Sequence, residues 1–140
     1  MASQVKFHSF VEALAEKKHT LGADTIKAAL TNTAPTASTN TVLADITQIS
    51  SGGGYTTGGN TCSVSTSAQT SGVYKLVLSS PTAWTASGGG FGPFRYVVFY
   101  NDTATSDELI SYVDYGSSIT VASGTFTVTL DGSAGVLTIT

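Results

Sequence analysis

The sequence predicts an all-β protein, a jelly-roll-like antiparallel β-sandwich with one N-terminal amphipathic helix. Charged residues make up only 11% of the 140 residues, and threonine, serine and glycine, which favour strands and turns, take their place. After residue 23, about nine short apolar segments alternate with turn signals, which is typical of a sandwich or barrel. We expect one domain over 1–140, with a helical segment at 1–22 and the sandwich at 23–140.

One helix is predicted at residues 4–19. Phe7, Phe10, Val11 and Leu14 fall at the spacing i, i+3, i+4 and i+7, which would place them on one apolar stripe. A terminal helix of this kind either completes its own core or docks on a neighbouring subunit. The simpler interpretation is that the helix packs on the core of its own chain. The alternative makes these four residues the candidate subunit or capsid interface.

The strands are predicted from short apolar segments between turn signals; in NTCSVST at 60–66, Cys62 and Val64 alternate with hydroxyls. FRYVVFY at 94–100 is the strongest signal, and VYKLVL at 73–78 is a second clear strand. VLADITQI at 42–49 is ambiguous between a short helical turn and a strand edge. The other expected strands are 24–32, 60–66, 82–86, 109–115, 119–121, 125–130 and 136–139.

Two glycine clusters, SSGGGYTTGGNT at 50–61 and SGGGFGPF at 87–94, raise the question of a phosphate-binding loop. Such a loop requires a lysine and a following helix. The first cluster has neither, and a strand follows the second. We therefore expect turns and close backbone crossings at strand ends, which glycine permits.

The charge and the apolar runs of the sequence argue against two classes of partner, nucleic acids and membranes. The net charge is −3, and no basic patch is present that could hold nucleic acid. The densest apolar run, 96–100, is too short to cross a bilayer, and the first residues lack the apolar core of a signal peptide. We expect no nucleic-acid partner, no membrane partner and synthesis in the cytoplasm.

Few residues are available for catalysis or metal binding. His8 and His19 are the two histidines and Cys62 is the one cysteine, too few for a zinc site, which needs three or four ligands. No Gly-x-Ser-x-Gly motif occurs. We expect no enzyme activity, cofactor or metal, with Cys62 as a buried small hydrophobe and both histidines in solvent.

An acidic cluster lies in the run YNDTATSDEL. Asp102, Asp107 and Glu108 could bind calcium weakly or form a polar loop between two strands. Because the EF-hand pattern is absent, the polar loop is the expected arrangement.

Several runs resemble motifs of the jelly-roll cement, or decoration, proteins of tailed bacteriophage capsids. They are FVEALAEKKHTLGADTIKAALTNTAP (10–35), LADITQISSGGGYTTGG (43–59), GPFRYVVFYND (92–102) and SYVDYG (111–116). The resemblance spans nearly the whole chain. It implies homodimers on the outer capsid surface of the virion, bound to an HK97-like shell of major capsid protein, and it brings no catalytic residue.

The function that this resemblance implies is structural: the protein would stabilise the capsid by bridging its subunits. The alternative is a glycan- or receptor-binding β-sandwich module of a phage tail or fibre. That module would use three aromatic rings outside the obvious strands, Tyr55, Trp84 and Phe91. Such rings can form a sugar-stacking platform, or they can fill a core or an interface.

Overall fold

The computed structural model describes residues 3–140. Its antiparallel sheets have a sandwich-like arrangement with one helix, so the predicted all-β class is confirmed. The helix is α1 (Ser9–Ala15). The strands are β1 (Ser3–Lys6), β2 (Ile26–Thr31), β3 (Asn60–Cys62), β4 (Val64–Thr70), β5 (Val73–Leu78), β6 (Trp84–Thr85), β7 (Phe91–Asn101), β8 (Leu109–Val121), β9 (Thr125–Phe126) and β10 (Leu137–Ile139).

The strands form three sheets. The largest has the order β1-β8-β7-β2-β3, a second has the order β10-β5-β4, and β6 pairs with β9. Ser63 alone separates β3 from β4, so the chain passes from the first sheet to the second at that residue. The ambiguous run at 42–49 contains a short 3-10 turn, Leu43–Asp45.

The long hairpin of β7 and β8 is the framework of the large sheet. The two predicted strands at 109–115 and 119–121 are joined in β8, because the intervening residues bulge instead of ending the strand. Phe94 pairs with Ile119 and Tyr96 pairs with Asp114. Two steps along β7 therefore match five along β8, which makes a bulge in the ladder.

Both faces of the large sheet are covered. Val97 and Phe99 of β7 belong to the main core between the sheets, whereas Val98 and Tyr100 belong to a second core on the opposite face. Ile46, in the segment after β2, contributes to that second core. A strand that is buried on both faces reads as a continuous apolar run, which explains why β7 gave the strongest signal.

The N-terminal segment is only partly helical, and the predicted helix at 4–19 is wrong at both ends. Its first residues form β1, which pairs with β8 from Gln4↔Val113 to Lys6↔Ser111. This pairing satisfies the free edge of β8, a tertiary gain that outweighs local helix propensity. At the other end, Lys17 has a φ of 63°, which ends the helical path.

The two glycine clusters meet in space. Gly53 has a φ of 63°, and a Cβ there would overlap the carbonyl oxygen of Gly90. The Ser87 amide donates a hydrogen bond to the Gly53 carbonyl at 2.9 Å. Glycine is therefore used for close backbone crossing between strand ends, as predicted.

Candidate functional site

The four residues predicted as an interface do not share one exposed face. Phe7 precedes α1 and is buried in the second core, while Phe10 is buried in the main core. The predicted stripe assumed a continuous helix, but the chain changes from strand to helix between Lys6 and Ser9. Two of the four side chains are therefore closed to a partner in this conformation.

The other two predicted interface residues lie nearer to solvent. Val11 is 54% exposed, and Leu14 is partly buried against the main core. Leu14 also lines an apolar groove, described below. Only these two of the four could meet a partner without opening the fold.

The three aromatic rings of the proposed sugar platform are all buried in the main core: Tyr55, Trp84 and Phe91. The Tyr55 hydroxyl donates to Gln48 Oε1 at 2.7 Å and accepts from the Leu30 amide at 3.1 Å. Burial raises the pKa of Tyr55 to about 12. These rings fill the core, so they cannot stack on a sugar.

The expectation that both histidines lie in solvent is wrong for His19. His8 is exposed as predicted, but His19 is buried beneath the turn that joins β7 to β8. Asn101 Oδ1 accepts hydrogen bonds from the Thr103 and Ala104 amides at 3.0 and 3.2 Å. Because those two bonds fix the amide orientation, Asn101 Nδ2 faces His19 Nδ1 at 3.0 Å and donates to it.

This geometry sets the charge state of His19. Its Nδ1 accepts a hydrogen bond, so the neutral ring carries its proton on Nε2, which has no hydrogen-bond partner within residues 3–140. Burial lowers the pKa of His19, while the carboxylates of Glu108 and Asp24 oppose that shift. The hydrogen bond between His19 and Asn101 ties the segment after α1 to the start of the β7–β8 turn.

The predicted acidic loop is the β7–β8 turn itself. Asp102 forms an ion pair with Lys27 at 3.0 Å, and the buried Glu108 lies 3.9 Å from the Lys18 ammonium. A polar cleft of about 550 Å³ lies beside the turn and has both cations and carboxylates in its lining. Its charges are largely balanced within the chain.

Two features are absent from the described residues, a group of metal ligands and a membrane-spanning helix. Over residues 3–140, no group of three or more His, Cys, Asp and Glu side chains is placed to hold a metal ion. No helix in the same stretch has the length and apolar character needed to cross a membrane. Burial raises the pKa of Cys62 to about 12, so its thiol acts as the small buried hydrophobe that was predicted.

Charge is distributed very unevenly along the chain. Lys75 is the single charged residue between Ile46 and Phe94, a span that includes strands β3 to β6. Its ammonium donates to the Ser133 carbonyl at 2.9 Å. Many of the other charges lie on α1, the segment that follows it and the β7–β8 turn, while the Arg95–Asp114 ion pair and Asp131 lie elsewhere. The surface formed by residues 47–93 is therefore rich in hydroxyls and nearly free of charged side chains.

The strand β4 forms a free edge within that part of the surface. It is the last strand of its sheet, with β5 on one side and no strand of the described chain on the other. Thr70 and Val73 flank the two-residue turn and form a hydrogen-bonded pair. Non-hydrogen-bonded and hydrogen-bonded pairs then alternate along the hairpin, so Gln69 and Ser67 lie in non-hydrogen-bonded pairs. By that alternation the backbone N–H and C=O groups of Ser67 and Gln69 point away from β5.

An apolar groove of about 250 Å³ adjoins this edge. It is lined by Leu14, Thr20, Leu21, Gly22, Ser67, Tyr74 and Ile139. No lining residue is charged. Ser67 belongs both to the groove and to the strand edge, and its hydroxyl lies 2.8 Å from the Tyr74 hydroxyl. We call this groove, together with the outward backbone of Ser67 and Gln69, the β4 surface.

Sequence reasoning missed the β4 surface. The local signals were present: β4 has no charged residue, and Ser71-Gly72 is a turn dipeptide that joins it to β5. The groove, however, joins residues from both ends of the chain, Leu14 and Ile139. No local pattern could have brought these two together.

Comparisons with protein-family models, with curated proteins and with solved structures found no match. The chain has antiparallel sheets in a sandwich-like arrangement and one short helix. Its most distinctive surface is an uncharged strand edge beside an apolar groove.

Proposed function

We propose that this chain is a structural virion protein that binds the outside of an HK97-like bacteriophage capsid and stabilises it by bridging capsid subunits. The single observation that carries the proposal is the uncharged, hydroxyl-rich surface between Ile46 and Phe94, which Lys75 alone interrupts. The resemblance of four sequence runs to cement proteins supports it. The protein acts as a homodimer and performs no catalysis.

The proposed mechanism is thermodynamic. A protein that binds the assembled shell, and not its free subunits, stabilises the shell by mass action. A dimer that spans two capsid subunits gains effective concentration for its second attachment, so each contact can be modest. Because the surface lacks charge, its contacts are apolar and hydrogen-bonded, and salt screens them little.

The tail or fibre alternative has less support. Its glycan platform required exposed rings, and Tyr55, Trp84 and Phe91 are buried in the core. The polar cleft beside the β7–β8 turn has no aromatic residue in its lining. The capsid role is therefore the one that the surface favours.

The test uses purified shells from which the protein has been removed. Adding it back should raise the temperature at which the shells disrupt, measured by light scattering. The protein should also stay bound when NaCl is raised from about 0.1 M to about 1 M, which shortens the Debye length from about 10 Å to about 3 Å. An unchanged disruption temperature, or release of the protein by salt, would contradict the proposal.

A further inference from the structure

We propose that residues 16–25, which join α1 to β2, form a pH-sensitive switch: protonation of His19 releases them from the β7–β8 turn while the sheets stay folded. We call these residues the α1–β2 connection. The switch belongs to the chain by itself, so it goes beyond the proposed function and does not depend on it.

The hydrogen bonds of Asn101 provide the first argument, because all of them suit a neutral His19. Asn101 Oδ1 accepts from the Thr103 and Ala104 amides. Its Nδ2 donates to Asp24 Oδ2 and to His19 Nδ1. If the amide turned over, its NH2 group would face two N–H donors and its oxygen would face the Asp24 carboxylate. Asn101 therefore offers His19 a donor and no acceptor.

A second proton on His19 has no acceptor in this arrangement. The neutral ring carries its proton on Nε2, which has no hydrogen-bond partner within residues 3–140. Protonation places a hydrogen on Nδ1, which then faces the Asn101 NH2 group 3.0 Å away. A buried cation that has lost its hydrogen bond is unfavourable. The proton is therefore bound more readily once the ring reaches water.

The charged groups around His19 weaken this effect without removing it. The Asp24 and Glu108 carboxylates favour the proton, but burial outweighs them and the pKa of His19 is lowered. The Lys18 ammonium lies 3.9 Å from Glu108 and opposes the proton. From α1, the uncharged Phe10 ring packs on His19 with its centroid 5.1 Å away. The other charged side chains of the surrounding elements are at least partly open to solvent: Glu12, Glu16, Lys17, Lys27, Asp102 and Asp107.

The α1–β2 connection is attached to the sheets by few contacts, so it can open by itself. It contains no strand. Within residues 3–140, one backbone-to-backbone hydrogen bond joins it to the chain beyond α1, from the Asp102 N–H to the Thr25 carbonyl. Leu21 is its one buried apolar side chain. Opening of β7 would instead break its ladders with both β2 and β8.

The experiment is amide hydrogen exchange of the isolated wild-type protein at pH 7.5 and pH 5.5, with each rate corrected for the intrinsic rate. The reporters are the Thr20, Asp24 and Thr25 amides, which donate to the Asp24 side chain, the Thr20 carbonyl and the Thr103 hydroxyl. The reference is Val97 in β7, between β2 and β8.

We expect the reporters to open with a lower free energy than Val97 and with little dependence on urea, because local opening exposes little surface. Their opening constant should rise between pH 7.5 and pH 5.5. The rise is at most about tenfold, the limit for a histidine whose pKa in water is about 6.5.

Two variants identify the group that takes up the proton. In His19→Asn, the side-chain oxygen can take the place of Nδ1 as an acceptor, but the residue does not titrate. His8→Asn is the matched control, because His8 is exposed. We expect His8→Asn to keep the rise and His19→Asn to lose it. Unfolding midpoints establish that each variant is folded. If His19→Asn does not fold, His19→Gln takes its place, and the comparison with Val97 needs wild type alone.

The outcomes separate this inference from the capsid function. If the reporters share the opening free energy and the urea dependence of Val97, the connection opens only with the whole fold and the inference fails. If their opening constant does not rise at pH 5.5, or if the non-titrating variant keeps the rise, His19 is not the trigger and the inference also fails. Neither result bears on shell binding, which is measured separately with stripped shells.

Discussion

Gly53 shows how much of this fold depends on single backbone contacts. Its φ of 63° favours glycine, and a Cβ would overlap the Gly90 carbonyl oxygen. Gly88 has a similar φ of 51°, but nothing lies near its Cβ position. The pair therefore separates the cost of the backbone conformation from the cost of the close contact.

We predict that Gly53→Ala is much more destabilising than Gly88→Ala. Gly88→Ala should lower the free energy of unfolding by about 1 kcal/mol, the cost of a left-handed residue. Gly53→Ala should lower it by about 3 kcal/mol or more, since backbone must also move. Urea unfolding measures both values. Equal losses would mean that the two glycine clusters do not pack as described.

His19 makes stability depend on pH. Its pKa in the folded state is lowered, mainly by burial, so the unfolded chain binds the proton more readily. A new proton on Nδ1 would also face the Asn101 amide that now donates to it. The contribution of His19 is therefore fully present above the unfolded pKa of about 6.5, and it is lost as pH falls from there through the lower, folded value.

We predict that the free energy of unfolding of the wild type falls between about pH 7.5 and about pH 5.5, the range in which an unfolded histidine titrates. His19→Gln should lose most of this pH dependence, whereas His8→Gln should keep it. The charged groups nearest His19 are Asp24, Glu108 and Lys18. If His19→Gln retains the full slope, His19 is not the cause of the pH dependence and this account of it is wrong.

At the scale of elements, α1 packs mainly against the core of its own sandwich. Phe10 is buried in the main core, whereas the adjacent Val11 is exposed. We predict that Phe10→Ala lowers the free energy of unfolding by about 3–5 kcal/mol, and that Val11→Ala changes it by less than about 0.5 kcal/mol. Urea unfolding measures both.

The double variant Phe10→Ser with Leu14→Ser distinguishes core from interface. Because Phe10 lies in the main core and Leu14 packs against it, the double variant should unfold more readily and not simply release dimers. If the double variant is instead a folded monomer by light scattering, α1 is a subunit interface.

The strands were easier to predict from the sequence than the helix. The apolar run VYKLVL identified β5 with its observed bounds, because Leu76 and Leu78 of that strand pack in the main core. β1 was missed, since its strand character comes from pairing with β8, more than a hundred residues away in sequence. Strand order was also beyond local patterns, because it is set by such distant pairings.

The candidate site was harder to predict for the same reason. The i, i+3 spacing placed Phe7 and Phe10 together, but they lie on opposite faces of the large sheet. The burial of His19 depends on Asn101, 82 residues away. Lack of charge between Ile46 and Phe94 was visible in the sequence, but only the fold reveals a free edge and a groove within that span.

For the whole molecule, charges concentrate at one end, around the β7–β8 turn, whereas the part formed by residues 47–93 has Lys75 as its one charged side chain. The ion pairs Lys18–Glu108 and Lys27–Asp102 lie at the charged end. The part formed by residues 47–93 contains the β4 edge and the glycine crossings. Such a surface is suited to lasting contact with another protein in salt, which is the property that a capsid decoration protein needs.

The most direct test of the capsid function is the copy number of this chain in purified virions. Mass spectrometry or gel densitometry would measure it against the major capsid protein. A protein that decorates every equivalent position of a symmetric shell should be present at a fixed ratio, about one copy per major capsid protein. A ratio of a few copies per hundred capsid subunits, roughly what a tail or fibre would contain, would contradict the proposed function.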